Sequence, residues 1–314
     1  MEPAKSRPSP SGNTLPVTSK GGHSTLSAFR VFFSIWIALA HSFHSFAVTD
    51  ATALWIKQTS FIATDAFIVM SAVSLWLRYS GSIPLSRTAW ARFMLRRLAR
   101  IWPTHALLLI AMAIVTPFGM TPGLMVNTTS WAWAWLCQFV LIQAWGVNSD
   151  WSLWNSPSWT LSALVICYAL YPLVSRLTAR INRPRTVFAG AAAVYAVAWV
   201  VADNLNLLGY GGLLALPQQI GAIRAAPIFV LSVLAVPLLR PVLQVPRSAA
   251  LELLAKNSYC IYIVHWPILK ALELLRFQGW IYALLSIVVI FVAGHYLRTM
   301  IDDPIQNVLR KRLR

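Results

Sequence analysis

Acidic side chains are nearly missing from this chain. Nine Asp and Glu stand against 26 Lys and Arg in 314 residues, and only 11% of residues are charged. A soluble domain carries about a quarter of its residues as charge, so most of this surface faces something other than water. Cysteine is scarce too. Cys137, Cys167 and Cys260 sit inside apolar runs without ligand spacing. That excludes a disulfide framework or a cysteine metal site and leaves them as small core residues. The sequence contains no serine-hydrolase elbow, phosphate-cradling loop or metal cluster. It also lacks the period-two alternation of an outer-membrane barrel. Residues 1–24 have no apolar h-region; rich in Ser, Pro, Gly and Thr, they read as a disordered cytoplasmic tail rather than a cleaved signal.

What the chain has in quantity is apolar length. Hydrophobic residues make up 58% of it, in runs of roughly 16–22, the length that crosses a hydrocarbon core of about 30 Å. Apolar segments fall at 27–48, 55–77, 102–118, 131–146, 159–175, 186–203, 207–221, 225–239, 258–275 and 280–297. The expected fold class is therefore an all-α polytopic membrane protein, with residues 25–314 forming one membrane-embedded domain.

The net charge of +17 first suggests a nucleic-acid partner. Its distribution excludes one. Of the 26 Lys and Arg, 22 fall at 5–30, 78–100, 176–185, 240–256 and 298–314, beside apolar runs where topology-setting charge belongs. Membrane lipids with anionic headgroups, or an anionic ligand, remain compatible partners. If all five stretches are cytoplasmic, an even number of crossings separates neighbours. Two of the gaps hold two segments and two hold three. Either about ten helices cross, with Arg176, Arg180, Arg183 and Arg185 outside, or eight cross and one segment in each odd gap is re-entrant. The weakest spans are the Trp-rich 131–146 and the Gly-bearing 207–221. Ten crossings is the slightly preferred reading, and both readings put the N- and C-termini in the cytoplasm.

Residues 87–100 (RTAWARFMLRRLAR) read as an amphipathic surface helix, with Arg92, Arg96, Arg97 and Arg100 spaced by three and four. Seven of the 15 tryptophans lie in 131–159. An aromatic belt at the membrane interface is preferred there over a ligand-stacking surface.

Ionisable groups inside apolar runs cost about 2.5–3.5 kcal/mol each on insertion scales and point to function. Arg30 and His41 are eleven residues apart, which puts both on one helical face with an axial separation of about 16 Å. Arg30 then lies near the cytoplasmic surface, where it could also serve as a snorkelling anchor. His41 lies deeper, with His44 beside the same line. Counting back from the short connection near residues 52–53, Asp65 falls at the depth of His41. A carboxylate there would orient the imidazole as a general base. His105 is expected at the interface, and Lys270, Glu273 and Arg276 are expected to neutralise one another.

Six stretches of the sequence carry a resemblance. They are AFRVFFSIWIALAH (Ala28–His41), DAFIVMSAVSL (Asp65–Leu75), RRLARIWP (Arg96–Pro103), WTLS with Y..YP (Trp159 to Pro172), NSYCIYIVHWP (Asn257–Pro267) and DDP (Asp302–Pro304). In this order they resemble the acyltransferase-3 family of integral membrane O-acyltransferases, whose signature is an Arg, ten residues, then a His. The resemblance implies transfer of an acyl group, usually acetyl, from cytoplasmic acyl-CoA to a hydroxyl of a surface polysaccharide or lipid-linked glycan, in a bacterial inner membrane. It implies donor binding at Arg30, with Arg97 and Arg100 beside it, and catalysis at His41, as base or through a transient acyl-imidazole; Asp65 joins His41 as a catalytic candidate through the depth argument. It also implies acceptor contacts from His44, Trp159, Ser162 and Tyr168. The chain departs from the pattern in one place. Many relatives continue WTLS with Val-Glu-Glu-Gln, where this chain has Ala163-Leu164-Val165-Ile166. The glutamates' role then passes to Thr160, Ser162 or Tyr168, or is absent. A transporter or flippase would use the same buried charges, but transporters are often built from repeated halves, and no such repeat is visible.

Overall fold

A computed structural model of the chain describes residues 24–79, 86–116, 128–147, 153–179, 185, 188–190, 192–193, 221–239 and 249–313. These form helices α1 (Ser24–Ser45), α2 (Ala51–Tyr79), α3 (Arg87–Val115), α4 (Thr128–Phe139), α5 (Trp159–Ala179), α6 (Gly221–Leu239), α7 (Ala249–Glu273), α8 (Trp280–Leu297) and α9 (Asp303–Arg312). A 3-10 turn, Ser156–Ser158, leads into α5, and a π-turn, Arg298–Asp302, joins α8 to α9. No strand occurs among the described residues. The expected tail at 1–24 and the segments at 186–203 and 207–221 fall almost wholly outside them.

Among the described residues, five helical stretches are long and apolar enough to cross a membrane: Leu26–Ser45, Ala51–Tyr79, Arg87–Val115, Ser156–Leu177 and Trp280–Arg312. In α8 the physical reason is plain. One face exposes Ile281, Leu284, Leu285, Val288 and Val292, while Ala283, Ser286, Ile290 and Gly294 are buried against the bundle. A helix that is apolar all round is a core or membrane helix, and small residues on the inner face let neighbouring backbones approach. Gly294 is the limiting case: a Cβ built there would lie 2.6 Å from Ile261 Cγ1 and 3.0 Å from the Ile261 Cα and N of α7. Ser286 bonds Ser42 of α1 at 2.9 Å, a polar link between apolar helices.

Contacts fix which helix ends share a side. Arg30 near the start of α1 donates to Ser74 late in α2 (2.7 Å), and Arg97 early in α3 donates to the Tyr79 hydroxyl (2.8 Å). Tyr171 of α5 packs against Tyr79 and Phe93, and Arg96 donates to the Leu313 carbonyl (3.1 Å). The two ends of the described chain therefore meet at one basic end of the bundle. At the far end Asp50 caps α2, accepting the N–H of Thr52 (3.0 Å) and Ala53 (3.1 Å), and takes the Trp280 indole N–H (2.6 Å). Gly279, at φ 97, makes the turn into α8 that presents that indole.

The Trp-rich segment does not cross by itself. With 12 residues α4 is about 18 Å long, short of a 30 Å core. It runs beside α3, where the Trp135 indole reaches the Leu109 carbonyl (3.3 Å) and the Trp102 indole reaches the Phe139 carbonyl (2.7 Å). Helix α5 ends at the basic end, where Tyr171 meets Tyr79 and Phe93, so Arg176 shares a side of the bundle with Arg97. A count of ten helices is not reached among the described residues. One indole of the expected belt is wholly internal: Trp154 is buried and donates to the Trp131 carbonyl (3.1 Å), while the exposed Trp145 donates to the Ser162 carbonyl (3.2 Å). His105 is likewise turned into the bundle. It is fully buried, with Nε2 bonded to the Gln138 carbonyl at 2.9 Å.

Prolines inside helices leave carbonyls without partners, and distant side chains take them up. Pro103 has no N–H for the Ala99 carbonyl, which accepts Gln306 Nε2 of α9 at 2.9 Å. Pro267 likewise frees the Ile263 carbonyl, which accepts Asn155 Nδ2 at 3.0 Å. In apolar surroundings such a carbonyl cannot turn to water. These two bonds therefore dock α9 and the 3-10 turn onto the helices that build the site.

Candidate active site

The first helix supplies two of the site's ionisable residues, as its spacing requires. Arg30 opens onto a cavity of about 670 Å³ at the basic end, and His41 lines a separate chamber of about 70 Å³ farther along. Arg30, Arg100, Lys256, Arg298 and Arg310 line the larger cavity, with Asp303 the one carboxylate among the described residues there. The smaller chamber is walled by Ile37, Ser60, Phe61, Thr64, Pro157, Trp159 and Tyr262 around His41. Tyr262 borders both spaces. Its hydroxyl donates to the Pro157 carbonyl (2.6 Å) and meets the Thr160 hydroxyl at 2.7 Å, so the partition ring is pinned.

His41 is held from α7. Its Nδ1 lies 2.8 Å from His265 Nε2 and the two rings stack at 5.0 Å and 22°, while Trp266 packs edge-on at 5.4 Å. His265 Nδ1 in turn lies 2.6 Å from the Tyr262 carbonyl. Lys270 caps this side, 4.7 Å from the Trp266 ring and 2.9 Å from Glu273. That ion pair is the expected one; Arg276 lies beyond the end of α7, at φ 54.

The other expected residues take distinct places. Arg100 lines the large cavity and pairs with buried Asp302 at 2.7 Å; the second Asp302 oxygen accepts from Thr104 at 2.8 Å. Arg97 does not line that cavity. Its guanidinium bonds the Tyr79 hydroxyl and lies over the Tyr79 and Phe93 rings. Tyr168 walls the large cavity and Trp159 the small chamber. Ser162 is fully buried, its hydroxyl accepting the Ala144 N–H at 3.1 Å. His44 is exposed in the last turn of α1, and Asp65 is half-buried directly after the chamber residue Thr64. The group at His41 Nδ1 is His265, where Asp65 was the expected orienting group. Leu164, where relatives place a glutamate, walls the large cavity.

The sequence gives His265, Tyr262, Lys256, Arg298 and Arg310 no place in the site, the three cations being read only as topology-setting charge. For His265 a signal existed: it is an imidazole inside an apolar run, and the cost that singled out His41 applies to it equally.

A family model described as an acyltransferase domain matches residues 24–235, more than half of the chain. The chain belongs to the acyltransferase-3 family. No curated protein and no solved structure matches it. The protein is thus a membrane acyltransferase. The match ends before α7, yet α7 brings His265 to His41, and the π-turn brings Asp302 to Arg100. The last quarter of the chain is part of the same site.

Proposed function

We propose that this acyltransferase takes a short acyl group from acyl-CoA bound at the basic end, on the cytoplasmic side. It passes the group to a hydroxyl of a surface polysaccharide or lipid-linked glycan at His41. The observation that carries this reading is the pair of spaces meeting at Tyr262. One is large and ringed by five cations, and the other is small and holds the imidazole. Guanidinium and ammonium groups suit the phosphates of the donor, whose thioester end would have to pass Tyr262 to reach His41. The chamber at His41, about 70 Å³, is much the smaller of the two spaces and suits a short acyl group. The half-buried indole of Trp266 beside His41 suits the face of a sugar ring.

In the step itself the acceptor hydroxyl gives its proton to His41 and its oxygen bonds the acyl carbon. The carbon–sulfur bond breaks, and the proton passes from His41 to the departing sulfur. The test is transfer of label from acetyl-CoA to glycan acceptors by membranes bearing the protein, compared with butyryl-CoA. Ester formed from acetyl-CoA, with butyryl-CoA admitted only by Phe61→Ala, supports the reading. Glycan movement across the membrane without ester formation would replace it with a flippase.

A further inference from the structure

We infer that His265 is a positioning residue that fixes the tautomer of His41 and so leaves His41 Nε2 as the basic nitrogen. The inference rests on the acyl-transfer reading for its consequence, but on hydrogen-bond geometry for its content. The Tyr262 carbonyl can only accept, so His265 Nδ1, 2.6 Å away, carries a hydrogen. A neutral imidazole has one N–H, so His265 Nε2 presents a lone pair. His41 Nδ1, 2.8 Å from that lone pair, must then be the donor. The remaining nitrogen of His41 is Nε2, which has no hydrogen-bond partner among the described residues, on a ring that lines the small chamber. The opposite assignment would set two lone pairs face to face at the Tyr262 carbonyl.

The surrounding structure makes this chain of donors rigid. His265 is buried, and the stacked His265 ring and the Trp266 edge bracket His41 from adjacent positions of one helix. Two residues on, Pro267 opens the α7 backbone, and Asn155 secures the freed Ile263 carbonyl within the turn that carries His265. When His41 Nε2 takes the acceptor's proton, the Nδ1–H bond to His265 becomes charge-assisted and shortens naturally. His265 thus strengthens its hold in the state that follows proton transfer, as an orienting carboxylate does in a hydrolase triad.

Two measurements test this. The first is ¹⁵N NMR of histidine-labelled full-length protein in nanodiscs, with His41 assigned by loss of its signal in His41→Ala. The expected result is the Nδ1–H tautomer for His41 in wild type and a mixture in His265→Leu. An Nε2–H tautomer in wild type overturns the inference, whether or not transfer has been detected. The second is kinetic. His265→Leu is expected to lower kcat about 100-fold with donor KM unchanged. His265→Gln, whose amide oxygen can stand where Nε2 stood, is expected to recover at least tenfold of that loss. In a His41→Ala background, His265→Leu is expected to add little. Equal loss in the Leu and Gln variants, or a full further loss without His41, would reduce His265 to a packing residue. Absence of any transfer by wild type would instead refute the acyl-transfer reading and leave the tautomer result standing.

Discussion

Truncating Asn155 to alanine tests how this bundle tolerates a proline next to the His41–His265 pair. Asn155 Nδ2 donates to the Ile263 carbonyl at 3.0 Å, a carbonyl that Pro267 leaves without a helical donor. Leaving a buried acceptor unpaired costs about 1–3 kcal/mol. The net loss is smaller, because Asn155 Oδ1 is itself buried without a partner and its removal is a relief. The bond of the Asn155 backbone N–H to Gln138 Oε1 (3.0 Å) is retained. A double-mutant cycle isolates the carbonyl. In a Pro267→Ala background, residue 267 regains an N–H and supplies the Ile263 carbonyl, while the relief at Oδ1 is unchanged. Asn155→Ala is therefore expected to cost about 1 kcal/mol more with Pro267 present than without it. The assay is denaturant unfolding of the four proteins in detergent micelles, followed by tryptophan fluorescence. Equal costs in both backgrounds, within about 0.3 kcal/mol, would refute the reasoning.

Three further outcomes follow from other contacts. Gly294→Ala must push Ile261, whose backbone would lie 3.0 Å from the new Cβ, and overpacking of this kind costs about 1–3 kcal/mol. Because His265 lies one turn beyond Ile261, transfer should fall together with thermal stability; adding Ile261→Ala should recover only part, since the backbone contact stays. Arg30→Ala should raise donor KM several-fold, whereas Arg97→Ala, which loses the Tyr79 bond, should lower the melting temperature and leave donor KM in place. At the far end, partial desolvation raises the Asp50 pKa, but the Ala53 N–H, the Trp280 indole and the Thr52 N–H outweigh it and hold the value below the ordinary 3.8. A folded value below the unfolded one contributes stability above pH 3.8 that is lost as pH falls through the folded value. Acid unfolding should therefore show a component in that window that Asp50→Asn removes.

The sequence made some of this architecture legible and hid other parts for physical reasons. Helical geometry alone set Arg30 and His41 on one face, because an eleven-residue spacing closes nearly three turns. The break between α4 and α5 was legible only as a parity conflict among basic stretches. Placing α4 beside α3 needed the indole bonds of Trp102 and Trp135, which no periodicity predicts. His265 escaped because its meaning is a pairing across 224 residues. A helical pattern shows which face a residue occupies, not which helix meets it. Arg97 and Arg100 look equivalent in a basic run, yet one stacks on Tyr79 and the other pairs with Asp302 at the cavity. The roles of Asn155 and Gln306 were hidden in the same way: a proline announces a freed carbonyl, but the side chain that takes it up is chosen by the fold.

The most direct test of the central claim is single-turnover transfer from labelled acetyl-CoA by purified wild type and His41→Ala, with donor binding measured on both. The expected result is unchanged donor affinity and a transfer rate lower by about 10²–10⁴ in the variant. Transfer by His41→Ala at the wild-type rate would contradict the account, whatever His265 does.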